Sequence, residues 1–391
     1  WLAQRRARTA LASTGMALVV AALVAGRLTR FDAPASTPST SSTSSTASTE
    51  PAVAVDFPDW AQVTQQWPSF RGPGGLAIAP AGAPIACNPA TGENIRWKTE
   101  VPLFAPNSPV VWDNRVFCSG ATAETREVYC FDADTGTLLW KQALPSFPGT
   151  PAEAPKVGED TTNAAPTMVV HGDRACAIFA NGDLACYDFE GKLLWGKNIG
   201  VPNNHYGHAS SLIAYANLLF VQYDQKDGGS LYAFDLGDGH EVWAAKRTEP
   251  SWASPILAET RFGMQLVLAS ESLVCAYAPL TGELAWQHEC LDGEVAPSLA
   301  YNGDIFFAAN EYAVGTAFRI GGTDTPEPET LWEWDYSLPD ISSPVATKTQ
   351  IFITTSRAEA VCVDIEKGEN VWLHDFDDSF HASPVVAGDY V

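Results

Sequence analysis

A short motif that ends in tryptophan recurs along the chain and constrains the fold more than any other feature. Each of its five full copies places a glycine four residues before the tryptophan, and these copies end at Trp140, Trp195, Trp243, Trp286 and Trp372. A variant ends at Trp97, and a copy that lacks the glycine ends at Trp332. Successive tryptophans are 43, 55, 48, 43, 46 and 40 residues apart. A repeat of about 45 residues is typical of one four-stranded blade of a β-propeller.

A second motif follows each tryptophan and predicts a hairpin. It consists of an apolar run, a polar turn of two or three residues and a second apolar run, as in NSPVVWDNRVF from Asn107. Two apolar runs joined by a short polar turn are typical of paired antiparallel strands. We therefore predict an all-β protein, a β-propeller of four-stranded antiparallel blades.

The residues of the tryptophan motif have structural roles in this prediction. Glycine supplies a positive φ in a tight turn, aspartate accepts hydrogen bonds from the turn backbone, and the tryptophan ring fills the space between neighbouring sheets. The positions assigned to this docking motif are Asp132, Gly136, Trp140, Asp188, Gly191, Trp195, Asp235, Gly239, Trp243, Gly282, Trp286, Asp364, Gly368 and Trp372.

The motif resembles that of a known family. The pattern D-x-x-[TS]-G-x-x-x-W is similar to the tryptophan-docking motif of quinoprotein alcohol dehydrogenases and of BamB-type outer-membrane assembly lipoproteins, and the resemblance extends from Trp67 to Val391. The opening WPSFRGPGG, Trp67 to Gly75, resembles the quinoprotein-like propeller proteins of planctomycetes. The resemblance implies eight blades, with seven as the alternative, and a last blade that is C-terminally truncated. Residues 92–101 are expected to form an outer strand that closes the ring against C-terminal strands.

The N-terminal part of the chain differs from the rest in composition. Eighteen uncharged residues, Thr9 to Gly26, lie between arginines, and at about 1.5 Å each they reach about 27 Å, which spans a bilayer core. We expect 1–30 to be a signal-anchor helix in a bacterial cytoplasmic membrane, with a cleaved secretory signal as the alternative. Residues 31–59 form a Ser/Thr/Pro-rich linker. The propeller, 60–391, then faces the periplasm or the cell exterior.

The charge of the chain excludes one class of partner. Its formal net charge is −23, from 23 basic and 46 acidic side chains. A nucleic-acid backbone requires the opposite sign, so no nucleic-acid binding is predicted. A soluble extracytoplasmic surface explains this acidity, and a surface for a cation or a basic partner is the alternative.

The eight cysteines do not form a recognisable metal or redox site. The sequence contains no C-x-x-C pair, which excludes a zinc ribbon or a thioredoxin-like site. Cys118 with Cys130, and Cys176 with Cys186, fall on consecutive predicted strands; whether either pair is a disulfide stays open.

The resemblance also implies what a pyrroloquinoline quinone (PQQ) enzyme would contain. It would have two adjacent cysteines in a disulfide against the cofactor, a Glu/Asn/Asp calcium site and a catalytic aspartate. No adjacent cysteines occur, and the motifs of common hydrolases, kinases and dinucleotide enzymes are missing. We therefore predict no catalytic residues and no cofactor; PQQ with calcium belongs only to the alternative function.

The mouth of the central channel is the candidate binding site. Loops that enter the innermost strands converge there, and they supply Asn107, Asn163, His205, Tyr206, His208, Trp252, Glu294, Asp340 and His381. A solvated rim explains these residues; a small-molecule or peptide site, with a metal on the imidazoles and carboxylates, is the alternative. Their spacing matches no ligand motif, so we predict no metal site.

Two functions follow from these observations. The first is a non-catalytic scaffold in the cell envelope that binds another protein or a peptide, as the BamB-type resemblance implies. The alternative is a ligand- or redox-cofactor-binding protein, or a dehydrogenase, that uses the channel mouth.

Overall fold

The computed structural model describes residues 57–79, 84, 86–158 and 161–391, and these residues are almost entirely strand and turn. A short helix, α1 (Trp60–Val63), and a 3-10 turn at Pro73–Gly75 precede the first strand. The strands in chain order are β1 (Ile78–Ala79), β2 (Val110–Trp112), β3 (Arg115–Ala121), β4 (Arg126–Asp132), β5 (Leu138–Ala143), β6 (Val169–His171), β7 (Arg174–Ile178), β8 (Asp183–Tyr187), β9 (Leu193–Asn198), β10 (Ile213–Tyr215), β11 (Leu218–Tyr223), β12 (Gly229–Asp235), β13 (Glu241–Arg247), β14 (Ile256–Thr260), β15 (Gly263–Ala269), β16 (Leu273–Tyr277), β17 (Leu284–Glu289), β18 (Ala300–Asn302), β19 (Ile305–Ala308), β20 (Gly315–Gly321), β21 (Glu327–Trp334), β22 (Val345–Ala346), β23 (Gln350–Thr354), β24 (Glu359–Asp364), β25 (Asn370–Asp375) and β26 (Val386–Ala387).

The predicted propeller of antiparallel four-stranded blades is confirmed. Blades one to six are β2–β5, β6–β9, β10–β13, β14–β17, β18–β21 and β22–β25, each a meander from the channel outward. A seventh sheet has two strands, because β1 pairs in parallel with β26, Ile78 opposite Val386. Within the described residues the number of sheets is therefore seven, the smaller of the two numbers considered from the sequence, and not eight.

The packing of the blades explains the apolar runs in the sequence. The middle strands of a blade are covered on both faces by neighbouring blades, so every residue of β7 and β8 is buried. The outermost strands have only one neighbouring strand, and all of β25 is exposed. The core therefore lies between the sheets, in several clusters rather than one.

The two ends of the propeller, here called the entry face and the turn face, carry different connections between strands. The entry face carries the loops that lead from the outer strand of one blade into the inner strand of the next, together with the loops between the second and third strands. The turn face carries the first hairpin turn of each blade and the glycine turns of the tryptophan motif. The predicted binding residues belong to the entry face.

Five of the seven motif tryptophans donate a hydrogen bond to the blade that follows them. The indole Nε1 of Trp195 donates to the backbone oxygen of Leu236, 2.9 Å away. A Cβ added to Gly239 would lie 2.5 Å from this ring, so only glycine lets the indole lie flat on the turn. The same contact joins Trp97 to Gly136, Trp140 to Gly191, Trp243 to Gly282 and Trp332 to Gly368.

Two tryptophans depart from this pattern. Trp286 is buried, but the following connection lacks the glycine and its Nε1 donates to Gln265 instead. Trp372, expected to be buried, is 43% exposed, because within the described residues no glycine turn follows it. That expectation was wrong for Trp372.

The ring closes differently from the prediction. Residues 92–101 form no strand. Trp97 instead contributes only its ring, which packs on Gly136 and donates to the oxygen of Ala133 at 2.8 Å. The N-terminal and C-terminal parts of the propeller meet through β1 and β26.

The WPSFRGPGG segment contacts the inner strands of several blades, or the residues just before them. Trp67 exchanges two backbone hydrogen bonds with Val111 of blade one, and the oxygen of Pro68 accepts from Val170 of blade two. The guanidinium of Arg71 donates to carbonyls just before the inner strands of blades five and six. The segment therefore ties distant blades together from the inside.

The cysteine pairs have different outcomes. Cys176 and Cys186 face each other across β7 and β8 and form a disulfide with Cα atoms 4.0 Å apart. Cys118 lies opposite Tyr129 and not opposite Cys130. The thiols of Cys118 and Cys130 are both free and buried.

The expected anchor helix, 1–30, and most of the linker, 31–59, lie outside the described residues. Over the described part of the chain, no helix has the length and apolar character needed to cross a membrane.

Candidate functional site

Loops from three blades bring aromatic and acidic side chains together on the entry face. The rings of Tyr206 and Trp252 meet edge to face with centroids 5.0 Å apart. The hydroxyl of Tyr206 lies 3.5 Å from Oε2 of Glu294, and the ring of His205 packs edge-on against Tyr206 at 4.6 Å. These residues precede the inner strands of blades three, four and five, so residues about 90 positions apart in the sequence share one surface.

More acidic side chains surround this group. Tyr312 is 57% exposed, and its pKa is raised by the hydrogen bond to Glu311 and the charge of that residue, with further contributions from Glu294 and Asp340. The carboxylates of Glu294, Glu311 and Asp340 therefore lie close enough to Tyr312 for their charges to raise the pKa of its phenol. We call this surface the entry patch: His205, Tyr206, Trp252, Glu294, Glu311, Tyr312 and Asp340.

A buried ion pair holds two loops of the entry patch. Nε and Nη2 of Arg247 donate to the carboxylate of Asp224 at 2.7 and 3.1 Å, and both side chains are buried. The backbone N–H of Ser251 donates to the same carboxylate at 3.1 Å, next to Trp252. The side-chain amide of Asn204 donates to the backbone oxygen of Asp224 at 2.7 Å. The two side chains stay together because removing one partner would leave a buried charge unpaired. Asp224 in turn holds Ser251 and Asn204, which belong to the loops that carry Trp252 and Tyr206.

A buried amide holds the third loop. Nδ2 of Asn310 donates to the backbone oxygens of Asp292 and Glu294 at 2.6 and 3.1 Å. The backbone N–H of Trp252 donates to the oxygen of Val295 at 2.9 Å and so joins the loops of blades four and five. These hydrogen bonds hold the backbone of the loops that carry Trp252 and Glu294.

Four of the predicted binding residues lie elsewhere. Asn107 is buried, and its amide donates to the backbone oxygens of Ser119 and Ala164, which braces blade one against the next connection. His208 is also buried; Nε2 contacts the oxygen of Gly200 at 3.0 Å, and burial lowers its pKa to about 4.

The other two lie nearer the surface and make none of the patch contacts described above. Asn163 uses its backbone oxygen to accept from Ala180. His381 is exposed.

Sequence reasoning missed Glu311 and Tyr312. Both lie in the loop between the second and third strands of blade five, whereas the prediction considered only loops that enter inner strands. In a four-stranded meander both kinds of loop end on the same face. Counting strands would therefore have placed the sequence NEYAVG at the channel mouth.

The one group of potential metal ligands that the described residues bring together is on the opposite face. Ligand atoms of Asp235, Asp238 and His240 lie within 4.8 Å of one another. Nδ1 of His240 is 2.6 Å from Oδ1 of Asp238, and Asp235 accepts from the turn amide of Gly237. These hydrogen bonds belong to the glycine turn and account for the arrangement.

The residues at the channel do not match what PQQ and calcium would require. The Cys176–Cys186 disulfide joins two strands inside blade two instead of adjacent residues at the mouth. The carboxylates of the entry patch lie among the rings of Tyr206, Trp252 and Tyr312. The channel holds Arg71, a buried cation, where the inner strands of blades five and six begin. No reaction step through a quinone follows from this arrangement.

The described residues thus define a β-propeller in which four of the six four-stranded blades dock a tryptophan on the glycine turn of the next. The family model that matches the chain is that of the outer membrane protein assembly factor BamB, over residues 24–217 and 317–391. The chain belongs to this family of PQQ-like propellers.

The chain is similar to several solved structures at low sequence identity. BamB from Moraxella catarrhalis is 17% identical, with 75% of this chain and 84% of that chain covered and a TM-score of 0.57. A europium-containing methanol dehydrogenase is 12% identical, covers 84% and 88%, and has a TM-score of 0.45. The quinohemoprotein alcohol dehydrogenase from Comamonas testosteroni is 10% identical, covers 84% and 76%, and has a TM-score of 0.46. No curated protein matches the chain. The likeness to BamB from Moraxella catarrhalis, at 17% identity, shows the fold alone.

Proposed function

We propose that the protein is a non-catalytic propeller scaffold of the bacterial cell envelope, and that its entry patch binds a basic segment of a partner protein. The observation that carries this proposal is the convergence of Tyr206, Trp252 and Glu294 from three different blades. A surface assembled from separate loops on a rigid scaffold is typical of a recognition site.

The chemistry of the entry patch suits a lysine or arginine side chain. Carboxylates at Glu294, Glu311 and Asp340 attract a cation, and the faces of Trp252 and Tyr312 accept one through cation–π contacts. Tryptophan and tyrosine are also the residues that contribute most binding energy at protein interfaces. The overall charge of −23 steers a basic partner toward the protein.

An envelope location fits the disulfide and the family. A buried disulfide forms and persists in oxidising compartments such as the periplasm. The matching family is described as an outer membrane protein assembly factor. The signal-anchor assigned to 1–30 would hold the propeller at the outer side of the cytoplasmic membrane.

Two peptides of equal length test the proposal, one rich in lysine and arginine and one rich in glutamate. We expect the basic peptide alone to bind in fluorescence anisotropy, with affinity falling as salt rises. The double variant Glu294→Gln, Asp340→Asn should weaken binding about tenfold, which is about 1.4 kcal/mol. Asp324→Asn with Glu327→Gln, at two exposed acids on the turn face, is the matched double control and should bind as the wild type does.

The outcomes separate a site from general charge attraction. Equal weakening by the control variant would show that only net charge attracts the peptide. Equal binding of the acidic peptide would also overturn the proposal. Trp252→Phe, which keeps an aromatic ring, should weaken binding less than Trp252→Ala.

A further inference from the structure

A ring of hydroxyl groups surrounds the channel at the point where the inner strands begin. The backbone N–H of one ring residue donates to the hydroxyl oxygen of the next, over distances of 2.9–3.1 Å. The ring runs through Ser108, Thr167, Ser211, Ser254, Ser298, Ser343 and Ser383. Each bond joins neighbouring blades. The ring residues stand two or three positions before the innermost strand of each blade, so the hydroxyl ring surrounds the channel.

These hydroxyls are left with protons to donate. A hydroxyl that accepts through its oxygen still carries one O–H donor. In the part of the chain that the structure describes, the accepting hydroxyls of the ring, such as those of Ser254, Ser298 and Ser343, have no acceptor for that proton. Most of them are buried. Several O–H donors thus lie at one level of the propeller, where the inner strands begin.

Arg71 adds a positive charge beside the hydroxyl ring. Its guanidinium donates to the oxygens of Leu299 and Pro344, each one residue beyond a ring member. The residue is only 4% exposed, and its Nε has no partner within the described residues. Burial lowers the pKa of Arg71 to about 9, and no carboxylate opposes that effect. Two carbonyl dipoles are weak compensation for a fully buried charge, which normally requires an opposite charge nearby.

We propose that Arg71 and the hydroxyl ring bind one small monovalent inorganic anion, of the size of chloride, at the centre of the channel. The groups that would hold the anion are donors: the Arg71 guanidinium, whose Nε has no partner within the described residues, and the serine and threonine hydroxyls. One negative charge would balance the positive charge of Arg71. The seven inner strands enclose the position, and the carboxylates of the entry patch repel larger polyanions at the mouth. This site is independent of the peptide surface proposed above.

Bromide can take the place of chloride, and its anomalous X-ray scattering shows where it is bound. Crystals of the wild-type protein grown in bromide should show a single anomalous peak within hydrogen-bond reach of the Arg71 guanidinium. This measurement needs no variant, so it decides the question even if substitution of Arg71 prevents folding. Electron density for water without an anomalous peak at that point would overturn the proposal, as would bromide bound only on the exterior.

Thermal unfolding tests the same site in solution. When chloride replaces a bulky organic anion at constant ionic strength, the wild-type Tm should rise by about 2–4 °C, because a ligand that binds only the folded state stabilises it. Arg71→Met should abolish the rise. Arg357→Met, at an exposed arginine, is the matched control and should keep it. An equal chloride response in Arg71→Met would contradict the proposal.

Discussion

The indole N–H of Trp286 donates its hydrogen bond to Oε1 of Gln265, 2.9 Å away in its own blade. Five other docking tryptophans donate to a backbone oxygen of the following blade. Trp286 cannot do so, because the connection after β20 has lost the motif glycine and its turn has a different shape. Gln265 therefore satisfies a buried donor that the repeat normally satisfies between blades.

Replacing Gln265 by leucine tests this compensation. The variant should lose about 1–3 kcal/mol of unfolding free energy, because the Trp286 N–H would be buried without a partner. Chemical denaturation followed by tryptophan fluorescence measures the change. Gln287→Leu, at an exposed neighbour of Trp286, is the control and should change stability by about 0.5 kcal/mol or less. Equal effects of the two substitutions would show that the hydrogen bond contributes nothing.

The glycine turn predicts a second contrast. In Gly239→Ala the new Cβ would lie 2.5 Å from the ring of Trp195, at a φ of +75°. Gly303 has a similar φ of +68°, but a Cβ there meets nothing within 4 Å. Gly303→Ala should therefore cost only the backbone strain, about 1–2 kcal/mol. Gly239→Ala should cost that amount and should also displace the indole of Trp195. The total loss of unfolding free energy should therefore approach the loss of about 3–5 kcal/mol that follows deletion of a buried aromatic ring. Similar Tm values for the two variants would contradict the docking role.

The repeat makes the fold predictable from sequence, because glycine and tryptophan recur at fixed positions and each has one physical role. The number of sheets was less predictable. Closure depends on two residue pairs, such as Ile78 with Val386, and no pattern marks so short a strand. The burial of Trp372 also depended on a following turn, which the repeat alone cannot supply.

The candidate site was partly predictable. Tyr206, Trp252 and Glu294 each precede an inner strand in the sequence, and the structure brings them together at one end of the propeller. Position before an inner strand does not tell whether a side chain turns outward or inward, so His208, which packs against Gly200, resembled a rim residue in sequence. That difference depends on side-chain packing, which the spacing of motifs does not encode.

Two buried histidines predict acid sensitivity. Burial lowers the pKa of His171 and of His208 to about 4, against about 6.5 in the unfolded chain. Above pH 6.5 both states are neutral and the full stability is present. As pH falls from 6.5 to 4 the unfolded state gains protons that the native state cannot take, so stability is lost, by up to about 3 kcal/mol for each histidine.

Unfolding at pH 7 and pH 4.5 measures this loss. His208→Gln keeps a donor for the oxygen of Gly200 but does not titrate, so its free energy of unfolding should fall less between the two pH values than that of the wild type. His381→Gln, at an exposed site, should follow the wild type. A loss in His208→Gln as large as in the wild type would mean that His208 does not cause the acid sensitivity.

The disulfide predicts a labelling pattern and a stability effect. A maleimide should modify only the exposed Cys87 quickly in the native protein, six thiols after unfolding without reductant, and eight after reduction. Eight labelled thiols without reductant would contradict the Cys176–Cys186 bond. Replacing both cysteines by alanine should lower the unfolding free energy by about 2–3 kcal/mol, because a disulfide across a separation of 10 residues restricts the unfolded chain. Reductant should destabilise the wild type and leave this variant unchanged, so the effect of reductant isolates the bond from the loss of two buried sulfurs.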